Sequence, residues 1–126
     1  MDPLELVKEI YAGFEAGDPS IALAHCTDET TIEQDPRLPW GGRYIGRDGV
    51  LAFLAQLVTT VDTQLVIERI FQAGEDVVEV GRSVGSVRSS GEPLDVAECH
   101  VWTIRDGMIH AARFYIDSDT VIAALG

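Results

Sequence analysis

The spacing of apolar residues is helical in the first half of the chain and strand-like in the second. Leu4, Val7, Tyr11 and Phe14 recur three or four residues apart, and a broad apolar face runs from Val50 to Val61. Such spacing places the apolar side chains on one side of an α-helix. The pattern therefore predicts two amphipathic helices, each of which must cover another apolar surface.

Capping residues and prolines mark where the helices begin. The start signals along the chain are Asp2-Pro3, Asp18-Pro19, Arg47-Asp48-Gly49 and Ser118. An acidic or hydroxyl side chain caps the free backbone N–H groups of a helix, and proline suits its first residue. Gly17 is expected to end the first helix, and the second is expected to run to about Cys26.

Four later segments are predicted to be β-strands, because they are rich in β-branched residues and are separated by polar turns that contain glycine. The segments are Thr63 to Ala73, Val77 to Arg88, Leu94 to Ile104 and Met108 to Asp117. Short turns join antiparallel neighbours, and strands of about ten residues curl strongly. A shorter β-prone run from Thr30 to Asp35 stops at Pro36 and precedes a loop rich in proline and glycine.

The predicted fold is α+β, with a curled antiparallel sheet wrapped around the N-terminal helices. Residues 1–126 are predicted to form one domain, since this length buries a core without disulfides or metal. Helices do not fill the concave side of a strongly curled sheet completely. The remaining gap predicts a cavity for a small molecule.

Charge and composition narrow the choice of partners and location. Nine basic against twenty-one acidic residues give a net charge of −12, which disfavours nucleic acid and anionic membranes as partners. No apolar run approaches the roughly 20 residues that span a bilayer, and no basic leader is recognised, so a cytoplasmic location is expected. Cys26 and Cys99 stand in no metal-ligand spacing and are expected to be reduced thiols. Neither a metal ion nor an organic cofactor is predicted.

One strand carries the strongest candidate for chemistry. In the segment Glu98-Cys99-His100-Val101-Trp102, the period of two places an acid, an imidazole and an indole on one face. A dry pocket raises the pKa of a carboxyl and lowers the pKa of a histidine, which brings both toward working pH. Such a row can line a ligand pocket, in which His100 is a candidate for a general acid or base. The alternative is a core histidine that is hydrogen-bonded to a neighbouring strand or to a buried tyrosine.

The turn after this strand predicts which residues lie opposite it. With a three-residue turn at Arg105-Asp106-Gly107, the expected pairs are Trp102 with His110, His100 with Ala112 and Glu98 with Phe114. The residues His100, Trp102, Ala112 and Phe114 would then share a face.

Two acids and a tryptophan in the first half are further candidates. Glu33 and Asp35 fall on the same face of the short strand, and burial of that face would make either a general base with a raised pKa. The alternative is a solvated strand end. Trp40, in the loop, is expected either to cover the mouth of the cavity or to pack on the surface.

Five segments that span most of the chain match a known family pattern: Phe14–Asp18, Leu38–Val50, Cys99–Trp102, Arg105–Ile109 and Tyr115–Asp117. Together they resemble the cone-shaped, cystatin-like fold of nuclear transport factor 2-like proteins, and within it the SnoaL-like group. The resemblance implies a homodimer that packs through the convex face of the sheet, where Arg113 and Tyr115 are residue types enriched at interfaces.

The resemblance also implies a small enzyme of the steroid isomerase or polyketide cyclase type. It would perform cofactor-free isomerisation, cyclisation or hydration on an apolar carbonyl-type substrate, with His100 as acid or base and Asp35 or Glu33 as its partner. The remaining residues of the implied site are Trp102, Phe14, Tyr11, Trp40, Phe53, Glu98 and Phe114. Epoxide hydrolysis is disfavoured, because Phe114 stands where the epoxide hydrolases of this fold carry an acid. The alternative is a non-catalytic dimeric module that binds a small ligand, since the fold hosts both.

Overall fold

Helices and strands follow the predicted order in the computed structural model, which describes all 126 residues. The elements are α1 Pro3–Glu15, α2 Ser20–Ala24, β1 Cys26–Gln34, β2 Gly42–Ile45, α3 Gly46–Thr60, β3 Val61–Ala73, β4 Asp76–Val87, β5 Pro93–Arg105, β6 Met108–Ile116 and α4 Ser118–Leu125. The predicted α+β class, with a curled sheet and N-terminal helices, is confirmed. The longest helix, α3, has 15 residues, and no helix combines the length and the apolar character needed to pass through a membrane.

The six strands form one open sheet in the order β2-β1-β6-β5-β4-β3. All neighbouring pairs are antiparallel except β1 and β6, which run parallel. Parallel neighbours require a long connection between them, and here that connection contains most of the other elements. Against this sheet, α3 lies mainly over β1 and β2, and α1 lies over β3 and β4.

Two strands differ from the sequence prediction. β1 begins at Cys26 rather than at Thr30, and the segment Gly42–Ile45, predicted as part of a loop, forms the edge strand β2. Four residues are too few to show a period of two. The conformation of β2 is determined by its pairing with β1 rather than by its own pattern.

The register of β5 and β6 also differs from the prediction. The turn contains only Asp106 and Gly107, both with positive φ, and His110 is left unpaired in a bulge on β6. The observed pairs include Trp102 with Ala112 and His100 with Phe114. The predicted pairs were wrong by two residues. Because a shift of two leaves every side chain on its original face, the predicted shared face is still correct.

Helix capping follows the prediction at α1 and differs by one residue at α4. The Asp2 carboxylate accepts a hydrogen bond from the backbone N–H of Glu5 at 2.8 Å. At α4 the cap is Asp117 rather than Ser118, because the Asp117 carboxylate accepts from the backbone N–H and the hydroxyl of Thr120. The Ser118 hydroxyl instead donates to the carbonyl oxygen of the preceding strand at 3.3 Å.

The two faces of the sheet are both apolar, but only one is covered. The inner face packs against α1 and α3, and the resulting core includes Ile10, Phe53, Val77 and Trp102. The outer face carries no helix, and its exposed apolar residues are Val66, Phe71, Val84 and Tyr115. An apolar face of this extent is typical of an interaction surface.

Candidate functional site

Three elements bring titratable side chains together on the inner face of the sheet. β4 contributes Glu79, β5 contributes Glu98 and His100, and α1 lays Tyr11 over them. The register places Glu79 directly opposite His100, and the period of two keeps Glu98 on the same side. These four residues are called the polar cluster below.

His100 is at the centre of the polar cluster, with 14% of its side chain exposed. Its Nδ1 lies 2.9 Å from the Tyr11 hydroxyl oxygen and 3.4 Å from Glu79 Oε1. Its Nε2 lies 3.2 Å from Glu98 Oε2. Phe114 packs against the imidazole with 4.4 Å between the ring centres. Both nitrogens therefore face polar groups of the protein, and one side of the ring is apolar.

A chain of hydrogen-bond donors that starts at Trp102 assigns the hydrogens of the cluster. The indole N–H of Trp102 donates to the Tyr11 hydroxyl oxygen at 2.7 Å. The Tyr11 hydroxyl in turn donates to Nδ1 of His100, which leaves the ring hydrogen on Nε2, facing Glu98. A bond from a buried tyrosine matches the structural alternative predicted for His100. A purely structural role for His100 does not explain why two carboxyls are buried beside its ring.

Glu79 and Glu98 are buried side by side, with 0% and 5% of each residue exposed. None of their four carboxyl oxygens accepts a hydrogen bond, because Nε2 of His100, although 3.2 Å from Glu98 Oε2, does not have hydrogen-bond geometry toward it. Burial, followed by the contact with Glu79, raises the pKa of Glu98 to about 9, and burial also raises the pKa of Glu79. At neutral pH the pair therefore holds a proton.

The other two members of the polar cluster are uncharged at neutral pH. Burial lowers the pKa of His100 to about 3, so its imidazole is neutral at pH 7. Burial raises the pKa of the Tyr11 hydroxyl, which therefore stays protonated and remains a donor. The cluster thus combines a neutral base with protonated acids in a space with little water.

Gly81 makes room for the two carboxyls. It lies opposite Glu98 in the sheet, and a Cβ atom there would stand 2.9 Å from Glu79 Oε2 and 3.0 Å from Glu98 Oε1. The same atom would lie 2.2 Å from the carbonyl oxygen of Val66 on β3. The missing side chain is therefore required by the close approach of β3 and leaves room for the buried acid pair, which explains a glycine in the middle of a strand.

Most of the predicted aromatic wall surrounds a small enclosed cavity. The aromatic residues that line it are Phe14, Phe53, Trp102 and Phe114. Its volume is about 20 Å³, which holds about one water molecule. The expected cavity of small-molecule size is not present in this conformation, because the aromatic rings fill the space between the helices and the sheet.

The acids predicted to assist His100 lie elsewhere. Glu33 and Asp35 border a surface cleft of about 330 Å³ at the ends of β1 and β6. Hydrogen bonds from Arg37 hold the pKa of the Asp35 carboxyl below its usual range, and Glu33 pairs with Arg43 at 3.4 Å. The burial that would raise the pKa of Asp35 is therefore not present, since an arginine rather than an apolar wall faces its carboxyl. A catalytic role for either acid stays a prediction, and the carboxyls next to His100 come from β4 and β5.

Trp40 is neither a lid nor a surface residue. It is 1% exposed, and its indole N–H donates to Gln34 Oε1 at 2.7 Å. Its carbonyl oxygen accepts a hydrogen bond from the Tyr44 hydroxyl at 3.1 Å. The loop is thus folded inward by partners on β1 and β2, and the ring belongs to the core.

Residues 7–112 match the family model of the SnoaL-like domain, and this segment includes the whole polar cluster. The chain belongs to the SnoaL-like family. Among proteins with curated descriptions, none matches its sequence.

Solved structures similar to this SnoaL-like protein share its fold at low sequence identity. A nuclear transport factor 2-like protein from Burkholderia thailandensis has 23% identity and a TM-score of 0.92, with 100% of this chain and 98% of the other covered. A proposed SnoaL-like polyketide cyclase from Jannaschia sp. has 19% identity and a TM-score of 0.84, with 99% and 95% covered. A protein with a ketosteroid isomerase-like fold from Catenulispora acidiphila, solved in complex with trimethylamine, has 18% identity and a TM-score of 0.81, with 100% and 95% covered. At these identities the similarity establishes the fold alone.

Glu79 is the member of the polar cluster that the sequence did not reveal. On β4 the outward positions include Val78 and Val80, whereas Glu79 and Gly81 face inward. The hydrophobic pattern alone therefore predicts the opposite orientation of this strand. The signal that could have identified Glu79 is its position opposite His100, which required the register of β4 and β5.

The polar cluster of this SnoaL-like protein offers chemistry of two kinds. A neutral imidazole, a protonated phenol and a carboxyl pair that holds a proton can accept and donate protons. Glu79, Glu98 and His100 also place one potential ligand atom each within 4.8 Å of one another, and these residue types bind metal ions.

Proposed function

We propose that this SnoaL-like protein catalyses proton transfer within an apolar, carbonyl-containing small molecule that binds next to His100. The observation that carries the proposal is the imidazole itself, held between a tyrosine hydroxyl at 2.9 Å and a buried carboxyl at 3.2 Å. Buried titratable groups in mutual contact are concentrated at functional sites, because acid/base chemistry requires shifted pKa values. A structural core would be served better by apolar residues at these positions.

The contacts of His100 assign a role to each neighbour. A ligand that enters between Tyr11 and His100 replaces their hydrogen bond, which frees Nδ1 as a proton acceptor and leaves the Tyr11 O–H for the ligand's carbonyl oxygen. The proton leaves a carbon next to the carbonyl, resides on Nδ1 and returns to another position, so the imidazole ends neutral. The Tyr11 hydroxyl stabilises the enolate oxygen, and the Glu79–Glu98 pair balances the charge of the imidazolium.

A ligand needs more space than the closed interior offers, and Phe114 is the point at which this space can open. Phe114 lines both the enclosed cavity and the surface cleft, and it contacts His100. Displacement of its ring would join a cleft of about 330 Å³ to the polar cluster. Volumes of this order are typical of small-ligand sites. We therefore place ligand entry at Phe114.

The first test measures exchange of carbon-bound hydrogen, which does not require knowledge of the natural substrate. Apolar ketones are incubated with the metal-free protein in D₂O, and deuterium next to the carbonyl is measured by mass spectrometry. Replacement of His100 by alanine is expected to reduce the exchange rate by about 10²–10⁴-fold, the usual contribution of a general base. The exposed His110→Ala variant is expected to keep the wild-type rate. A His100→Ala variant that exchanges a ketone as fast as wild type contradicts the assignment.

A non-catalytic ligand-binding module is the second candidate, and the filled interior favours it. In such a module the Tyr11–His100 hydrogen bond is structural, and no ketone in the panel is expected to exchange. The NMR titration of His100 separates the two candidates. The proton-transfer proposal requires a pKa far below the ordinary value and a change in it when a ligand binds. A near-ordinary pKa that ligands leave unchanged favours the module.

We also propose a homodimer formed through the outer face of the sheet. Val66 and Val84 stay exposed there, and Arg82 and Asp95 form an ion pair on the same face at 2.5 Å. Because an apolar centre with polar groups around it is the usual composition of an interface, a second copy of the chain is the expected partner.

Substitution of Val66 by glutamate is expected to convert this dimer into a monomer, since the buried charge would have no partner. Analytical ultracentrifugation measures the change. Val58→Glu on α3 is a matched control, because Val58 is 55% and Val66 52% exposed in the isolated chain. If the wild type and both variants all sediment as monomers, the chain forms no such dimer. If only Val58→Glu dissociates a dimer, the interface lies elsewhere.

A further inference from the structure

We propose that Glu79, Glu98 and His100 form a binding site for one divalent transition-metal ion. Two carboxylates and one imidazole are ligands that Zn²⁺, Mn²⁺, Fe²⁺ and Co²⁺ accept, whereas Mg²⁺ and Ca²⁺ prefer oxygen ligands alone. The three residues come from adjacent strands, β4 and β5, so the sheet rather than a loop holds them in place.

The positions of the donor atoms fit a single ion. One carboxyl oxygen of each glutamate and a ring nitrogen of His100 lie within 4.8 Å of one another. Metal–nitrogen and metal–oxygen bonds of about 2.0–2.2 Å allow two ligand atoms of one ion to stand up to about 4.4 Å apart. Small side-chain rotations are therefore sufficient to close the site around an ion. Three protein ligands also leave a coordination position for water or another small molecule.

The second observation is the set of unpartnered oxygens. All four carboxyl oxygens of Glu79 and Glu98 are buried, and no N–H or hydroxyl group of another residue donates to them. Nearly all buried polar atoms in proteins have a partner, because burial without one is costly. A shared proton does not provide partners for all four oxygens, since it can form only one hydrogen bond between the two carboxyls. A divalent cation would satisfy both carboxylates at once.

The surroundings of His100 provide the support that metal-bound histidines usually have. When one ring nitrogen binds a metal, the other generally donates to a fixed acceptor that orients the ring. The Tyr11 hydroxyl lies 2.9 Å from Nδ1 and is itself held by the Trp102 indole at 2.7 Å. An ion at Nε2 would thus leave Nδ1–H to donate to the Tyr11 oxygen. Gly81 keeps side-chain atoms away from both carboxyls.

The sequence predicted no metal ion because its ligands show no recognisable spacing. Glu98 and His100 are two residues apart on one strand, and Glu79 comes from the neighbouring strand. The site therefore exists only through the register of β4 and β5. Metal binding does not depend on the proposed proton transfer.

The test uses Co²⁺ as the probe, because its visible absorption reports protein ligands. Protein treated with a chelator and then freed of it is titrated with Co²⁺, and bound metal is counted after gel filtration. One equivalent is expected to bind with a visible absorption band and to be displaced by Zn²⁺. Paramagnetic broadening in the NMR spectrum is expected to affect the ring protons of His100 and to spare those of His25 and His110.

Isosteric variants locate the ligands. Glu79→Gln and Glu98→Gln are each expected to weaken Co²⁺ binding at least tenfold, whereas Glu33→Gln, which changes an exposed carboxyl, leaves it unaltered. The absence of saturable binding by the wild type overturns the proposal, and so does binding that survives both substitutions or depends on His25 or His110. Because deuterium exchange is measured on metal-free protein, failure of the metal site and failure of the proposed function are distinguishable.

Discussion

Replacement of Glu98 by glutamine is expected to make the protein more stable than wild type above neutral pH, by an amount that grows as the pH rises. The pKa of Glu98 is raised to about 9 in the fold, mainly by burial and then by its contact with Glu79. In the unfolded chain the same carboxyl ionises near pH 4.5. The folded state therefore binds more protons than the unfolded state between these two values, and stability falls as the pH increases through this range.

The change in stability with pH is limited, because the folded and unfolded states differ by at most one bound proton at Glu98. A single group of this kind lowers the free energy of unfolding by at most about 1.4 kcal/mol per pH unit, and a glutamine at position 98 removes that slope. His100 acts in the opposite direction, because its pKa is lowered to about 3. The part of the folding stability that depends on a neutral His100 is fully present above pH 6.5 and is lost only as the pH falls toward 3. The window from pH 6.5 to 9 therefore separates the effect of the carboxyl pair from that of His100.

Urea unfolding of wild type and Glu98→Gln at intervals from pH 6.5 to 9, in the presence of a chelator, measures the difference. The matched control is Glu33→Gln, whose carboxyl is half exposed and whose substitution is expected to leave the slope unchanged. Parallel curves for the wild type and Glu98→Gln would mean that Glu98 is already ionised in the folded protein. The buried proton described above would then not exist.

Truncation of Phe114 to alanine is expected to destabilise the protein by about 3–5 kcal/mol, the range for a buried phenylalanine. Its ring contacts three other rings, with centres 4.4 Å from His100, 5.4 Å from Phe53 and 5.5 Å from Trp102. Removal of the ring leaves these neighbours without their common contact. It also joins the enclosed cavity to the surface cleft, since Phe114 lines both.

Two measurements check this expectation. Urea unfolding gives the loss of stability, and Phe71→Ala, which removes a ring that is 37% exposed on the outer face, is expected to cost under about 1 kcal/mol. Benzene is then expected to raise the melting temperature of Phe114→Ala more than that of wild type, because a ligand stabilises the state that binds it. Equal losses in the two variants, or no benzene effect, would show that Phe114 does not close the interior.

The order of the elements and the inward face of β5 could be predicted from the sequence because both depend on local patterns. Alternation along β5 was enough to place Glu98, His100 and Trp102 on one side. The partner residues were not local: a two-residue turn and the bulge at His110 moved the register by two. The predicted face was correct only because that shift is an even number.

The rest of the site depends on contacts that the pattern of a single strand does not show. Glu79 lies between Val78 and Val80, which face outward, so the local hydrophobic pattern indicates the wrong side of the strand. Asp35 could not be assigned from its strand, because the nearby Arg37 determines its charge. The size of the cavity depends on how the aromatic rings pack, and composition reveals which rings are present but not how they fill the space.

The position of Gly81 has a consequence for how this protein can vary. A methyl group there would meet both carboxyls and, at 2.2 Å, the carbonyl oxygen of Val66 on β3, so no other residue fits at position 81 unless β3 moves away. Removal of the two acids alone would not admit a side chain at position 81, because the carbonyl oxygen of Val66 would still lie 2.2 Å from its Cβ atom.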